Sequence, residues 1–94
     1  MIVVTEDELL RHELINLKVT VIRSSNPLQE GISGVVVDET KNMLVIADVS
    51  KKRCISKEGV TYGFVMPAGT FIQIEGRRLR GRPVDRIKKK PRKN

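Results

Sequence analysis

Ten lysines or arginines fall within residues 77–94 against a single acid, Asp85, so this stretch carries a charge of +9. The rest of the chain holds eight bases and ten acids, near −2, so the net +7 is concentrated at one end. Guanidinium groups pair with phosphate through parallel N–H donors and lysines add point charge; the chemistry on offer is neutralisation of a polyanion. In "RRLRGR", after Arg77, the arginines Arg78, Arg80 and Arg82 recur at every second position. On a continuing strand they would share one face, with Leu79 turned to the core. "GRPVDRIKKK" follows, where Pro83 can start a helical turn and Arg86 stands one turn before Lys90, with Lys88 and Lys89 between. The final "PRKN" has no apolar residue and is expected to order only on a partner. A second basic group, "KKRCISK", offers Lys51, Lys52, Arg53 and Lys57 in a loop or edge strand, facing either phosphate or solvent.

Other residue types with chemical potential lack companions. His12 stands alone beside acids on an expected helix, and surface or packing duty suits it better than catalysis. Cys54 reads as a half-buried strand residue, and one cysteine with one histidine cannot enclose a structural zinc. Asp38, Glu39 and Asp48 lie about a hairpin with no further ligands for Mg²⁺, so turn roles suit them better. Tyr62 and Phe64 share a face with Val60 and Met66 and belong to the core. Phe71 lies on the opposite face of its strand and is the better candidate for stacking on a base. No nucleophile–base pair, metal cluster or phosphate-cradling glycine loop emerges, so no catalytic residue, metal ligand or bound cofactor is assigned to this chain.

The elements that must position these residues are short. Ninety-four residues make one domain with a modest core. In "VTEDELLRHELINL", Thr5 and Glu8 have capping-box spacing, Val4 and Leu9 can form a hydrophobic staple, and Leu10 and Leu14 lie one turn apart. A helix is expected from about 5 to 14. "LKVTVIR" reads as a strand closed by the turn-rich "SSNP", and "GISGVVVDETKNMLVIADV" as a hairpin with Thr40, Lys41 and Asn42 at its tip. Gly31 and Gly34 suggest a bulge or sharp bend. "VTYGFVM" and "TFIQIEG" complete about five strands, a pattern that suits a mainly β fold: a small, strongly bent antiparallel barrel. The expected organisation is a helical segment over 1–17, the barrel over 18–82 and a basic extension over 83–94, partly disordered. No signal peptide or membrane-spanning run is apparent, and a reducing, cytoplasmic setting is the simplest expectation.

Beyond these features, "HELINLKVTVIRSSNPLQEGISGVVVDETKNMLVI" together with "GRPVDRIKKK" resembles the family of protein component 1 of archaeal ribonuclease P. The matches to that family's pattern are His12 to Ile15, Leu17, Glu30 to Ile32, Gly34, Val36 to Thr40, Asn42, Leu44, Gly81 to Pro83, Asp85 and Arg86. Asn16 stands where glycine is usual and Met43 where threonine is usual. The resemblance implies an Sm-like barrel with helical or flexible ends. It also implies a noncatalytic RNA-binding subunit of the ribonucleoprotein that removes 5′ leaders from precursor tRNA, supporting RNA folding and activity at low Mg²⁺. In that family the RNA subunit uses the Mg²⁺ and does the cleaving. A zinc-ribbon protein subunit pairs with this one as a heterodimer, the pair binds the specificity domain of the RNA, and further protein subunits complete the particle. The family's protein interface involves the N-terminal helix, which gives Leu10 and Leu14 two possible destinations, the partner or their own core.

Two other binding readings compete: an Sm-like or ribosomal-type RNA-binding barrel outside tRNA processing, and attachment to an acidic membrane. The second is the weaker, because Val84 and Ile87 are the sole apolar anchors in residues 83–94. An autonomous nuclease would need a carboxylate cluster that cannot be assembled.

Overall fold

The structure, a computed structural model, describes residue 9 and residues 13–80. Six strands form one antiparallel sheet: β1 (Lys18–Ser24), β2 (Ser33–Glu39), β3 (Met43–Ala47), β4 (Lys52–Ser56), β5 (Val60–Val65) and β6 (Phe71–Glu75). Their order across the sheet is β4-β3-β2-β1-β5-β6. Five of these are the strands marked by period-two apolar residues; β4 is the sixth. Its alternation is hidden because a lysine and an arginine fill outward and rim positions while Ile55 alone is fully buried.

Alternation places one side chain of each pair inward. Val19, Val21, Val36, Leu44, Ile46, Ile55, Tyr62, Phe64, Ile72 and Ile74 all point into one buried core. The Tyr62 and Phe64 rings lie 6.0 Å apart in a tilted pair, as their shared face with Val60 and Met66 leads one to expect. Register shifts between Val21 and Arg23 and between Val36 and Asp38 insert bulges that bend the sheet. Gly31 marks a further bulge, as expected: with φ 88° its N–H donates to the Val21 carbonyl while the Val21 N–H donates to the Ile32 carbonyl. Gly34 serves a close approach: a Cβ there would overlap the Ala47 carbonyl oxygen. Asn16 has φ 79°, the left-handed region that glycine and asparagine tolerate best. That accounts for asparagine standing where the resembled pattern carries glycine.

The sheet bends strongly but does not close into the expected barrel. Among the described residues no pairing joins β4 to β6. Strand β6 stops at Glu75 because the chain turns into a 3-10 helix over Gly76–Leu79, where a Cβ on Gly76 would overlap the Lys57 carbonyl oxygen. On the other side, the Tyr62 hydroxyl donates to the Ser56 carbonyl at 2.7 Å, occupying a group that a closing strand would have used. The Tyr62 hydroxyl of β5 and the backbone of Gly76 thus meet the end of β4 in place of a ladder.

Among the described residues there is no α-helical element. The helix expected at about 5–14 lies outside them except at Leu9, which is helical, and at Glu13 and Leu14, which are not. Leu9 and Leu14 are both fully buried in the core. Leu10 and His12 lie outside the described residues, as do Arg82, Arg86, Lys88, Lys89 and Lys90.

Candidate nucleic-acid interface

The 3-10 helix after β6 decides where the described arginines point. The expectation of a continuing strand with Arg78 and Arg80 at period two is overturned, since Gly76–Leu79 winds with a period of three. Leu79 nevertheless anchors the segment as expected, fully buried. Arg77, Arg78 and Arg80 stay exposed around it. Arg77 Nε donates to Glu75 Oε1 at 2.9 Å, and Arg80 lies 3.5 Å from Glu58. Both pairs are more than half exposed, where an ion pair contributes about 0–1 kcal/mol. Exchanging either carboxylate for a phosphate therefore costs little.

The second basic group divides. Lys57, read from sequence as one of the bases in a loop or edge strand, is fully buried: its Nζ donates to Glu39 Oε2 at 2.8 Å and to the Thr40 carbonyl at 2.7 Å. It locks the β2–β3 tip to the β4–β5 turn. The Lys57 N–H also reaches the Asn42 carbonyl. Lys51 and Lys52 are exposed at the far end of β4, and Arg53 is half-buried. Arg53 lines a depression with Glu30 and Asp48. Those two carboxylates make it a weaker phosphate ligand than its neighbours. Asp48 caps the β3–β4 turn, accepting from the Ser50 N–H at 2.8 Å and the Lys51 N–H at 3.0 Å. These backbone donors, then the Ser50 hydroxyl, hold its carboxyl below the usual carboxylate value. Asp48 thus serves a turn, as expected, whereas Asp38 lies within β2 and accepts from the Glu39 N–H at 2.8 Å, and Glu39 serves the buried ion pair. Among the described residues no group of three or more His, Cys, Asp or Glu is placed to hold a metal.

The two basic groups lie at opposite ends of β4. Arg80 and the 3-10 helix sit against Glu58, beyond the Ser56 end of β4, while Lys52 and Lys51 mark its other end. Four residue steps separate Lys52 from Ser56, roughly 13 Å at about 3.3 Å per residue. β4 is an edge strand, paired only to β3 among the described residues. A basic sheet edge of this kind resists strand addition and suits the tracking of a phosphate backbone. Cys54, expected half-buried, faces outward and is exposed on this edge. Burial pushes the Tyr62 hydroxyl far above the usual phenol value, so it remains a hydrogen-bond donor at any ordinary pH.

No local signal in the sequence separates Lys57 from Lys51 and Lys52. The charge pattern is the same, and burial alone tells them apart.

Comparisons with known proteins converge on one family. The family "Ribonuclease P/MRP, subunit p29" matches residues 7–89. Ribonuclease P protein component 1 of Pyrococcus furiosus is 46% identical over 90 residues, covering 96% of this chain and 71% of that protein. Its counterpart from Methanothermobacter thermautotrophicus is 44% identical, covering 96% of this chain and 98% of that one. The solved structure of Mth11, a homologue of human RNase P protein Rpp29, superposes with a TM-score of 0.60 at 43% identity, covering 81% of this chain and 99% of that one.

Proposed function

Because this chain belongs to the ribonuclease P/MRP subunit p29 family and is a ribonuclease P protein subunit, we propose that its basic edge neutralises phosphates of the ribonuclease P RNA. The observation that carries this reading is the exposure of Arg77, Arg78 and Arg80 on and just after a helical turn pinned by buried Leu79, with Arg80 against Glu58 beyond one end of β4 and Lys52 and Lys51 at the other. Arginines held on a rigid edge meet crowded phosphates in a fixed geometry, with less ordering cost than a free tail would incur. Arg82, Arg86 and Lys88 to Lys90 extend the same charge. The RNA folds with fewer Mg²⁺ ions once protein cations replace part of its counterion atmosphere. In this reading the chain is noncatalytic and binds no cofactor, and the RNA subunit uses Mg²⁺ to remove the 5′ leader of precursor tRNA.

The partners in this reading are the specificity domain of the RNA, a zinc-ribbon protein subunit in a heterodimer, and the other protein subunits, in the cytoplasm. Leu10 is the residue offered to the protein partner. Among the described residues no helix is long and apolar enough to cross a membrane.

The test is precursor-tRNA cleavage by the cognate RNA subunit at limiting Mg²⁺, with the other protein subunits present. Full-length protein is compared with a chain carrying Arg78→Ala and Arg80→Ala. Stimulation by the first and its loss with the second is the expected result. Equal stimulation by both would remove the basic edge from the mechanism. No stimulation by either would favour an RNA-binding role outside tRNA processing.

A further inference from the structure

The outer face of β1, β5 and β6, away from the core, carries an aromatic site that charge neutralisation does not use. Phe71 is 55% exposed and Ile22 is 38% exposed. Both lean over Gly63, where a Cβ would overlap the Phe71 ring and come within 3.2 Å of Ile22 Cδ1. Glycine thus lets the ring lie down across the sheet, leaving its other side to solvent. The pairing Lys18↔Val65↔Phe71 and the pairing Thr20↔Gly63↔Gln73 run side by side. They put a cation and two side chains able to hydrogen-bond around the ring. Next to it, Lys18, Thr20, Gly34, Val35 and Val65 line a shallow, mostly apolar depression of about 350 Å³.

We propose that this face is a nucleobase-stacking platform: Phe71 receives one unpaired base of single-stranded RNA, the adjoining depression a second, and Lys18 the phosphate between them. Three features favour a nucleotide over a protein. A stable protein interface needs roughly 800 Å² from each partner, whereas the apolar part here is one ring, one isoleucine and a shallow hollow. A depression of about 350 Å³ lies at the small-ligand end of known sites. Lys18 at the rim of the depression complements a phosphate-linked ligand. Every base has a π-face, so the platform tolerates sequence, and adenine, the larger ring system, gains more than uracil.

The inference rests on the RNA-binding reading above and is tested apart from it. Fluorescence anisotropy of short labelled oligoadenylate and oligouridylate is measured with full-length protein, F71L, F71Y and K18Q. Leucine still covers Gly63 but cannot stack, so F71L is expected to lose about 5- to 150-fold in affinity, the range one stacked base contributes. F71Y should bind as the parent does. K18Q should bind more weakly, with the slope of log affinity against log salt shallower by about one. Amide resonances of Thr20 and Gly63 should shift on titration of the parent chain. Circular dichroism checks that each variant is folded. If F71L binds both oligonucleotides as tightly as the parent while Arg78→Ala/Arg80→Ala still impairs cleavage, the platform is overturned and the proposed function stands. If the parent binds no RNA of any kind, both fall.

Discussion

Lys57 and Arg80 sit at the same corner of the sheet, are the same sign of charge, and have opposite lives. Lys57 is sealed from solvent and committed to Glu39 and two carbonyls; Arg80 stands in water with a loose exposed partner, Glu58. The first holds the fold and the second is available to a ligand. A count of bases therefore overstates the binding surface, because a cation already satisfied inside the protein has no charge to lend to RNA.

The comparison breaks most sharply at the buried pair. Lys57→Met should destabilise the protein by about 3–5 kcal/mol, since it strands the Glu39 carboxylate in the interior. Chemical denaturation measures this, and the double change Lys57→Met with Glu39→Leu should recover most of the loss. A single-variant cost below about 1 kcal/mol would show that the ion pair is not what clamps the β2–β3 tip.

Leu79→Ala comes next, at about 2–5 kcal/mol for a fully buried leucine. It should weaken RNA binding as well, because the turn that presents the arginines loses its anchor. Its signature is a joint fall in thermal midpoint and affinity.

The exposed side is sharpened by Arg78→Ala with Arg80→Ala. Stability should move by no more than about 0.5 kcal/mol per site. Binding to ribonuclease P RNA should weaken, and the slope of log affinity against log salt should flatten by about one per arginine. An unchanged slope would mean that these arginines meet no phosphate. Removal of one buried hydroxyl, Tyr62→Phe, should cost about 1 kcal/mol by taking the donor from the Ser56 carbonyl, read from the thermal midpoint.

The smallest effect concerns Asp48. Its carboxyl is held below the ordinary aspartate value by the turn's backbone donors, so the turn contributes stability above that ordinary value and loses it as pH falls through the lower folded one. Asp48→Asn should flatten the acid limb of the midpoint-against-pH curve below about pH 4 and leave the neutral region almost unmoved.

Much of this was legible in the chain. Period-two alternation in "KVTVIR", "GVVV", "MLVIA", "VTYGFV" and "FIQIE" marks five strands, because one face of each must be apolar to bury. The concentration of charge after residue 76 is plain in the chain, and Phe71 was separable from Tyr62 and Phe64 by parity alone. The capping-box helix at 5–14 and the cations beyond Gly81 fall outside the described residues, apart from Leu9, Glu13 and Leu14.

What the sequence by itself determined is which residues are apolar, which are charged and with what period they recur, since these depend on neighbours a few positions away. The tertiary structure alone decided the rest. It settled the choice between loop and edge strand for β4 by pairing it with β3. It ended β6 at Glu75, because Gly76 must pass close to the Lys57 carbonyl. It sent Lys57 inward to Glu39, eighteen residues away in sequence. Burial depends on what the rest of the chain places overhead, and no local pattern records that.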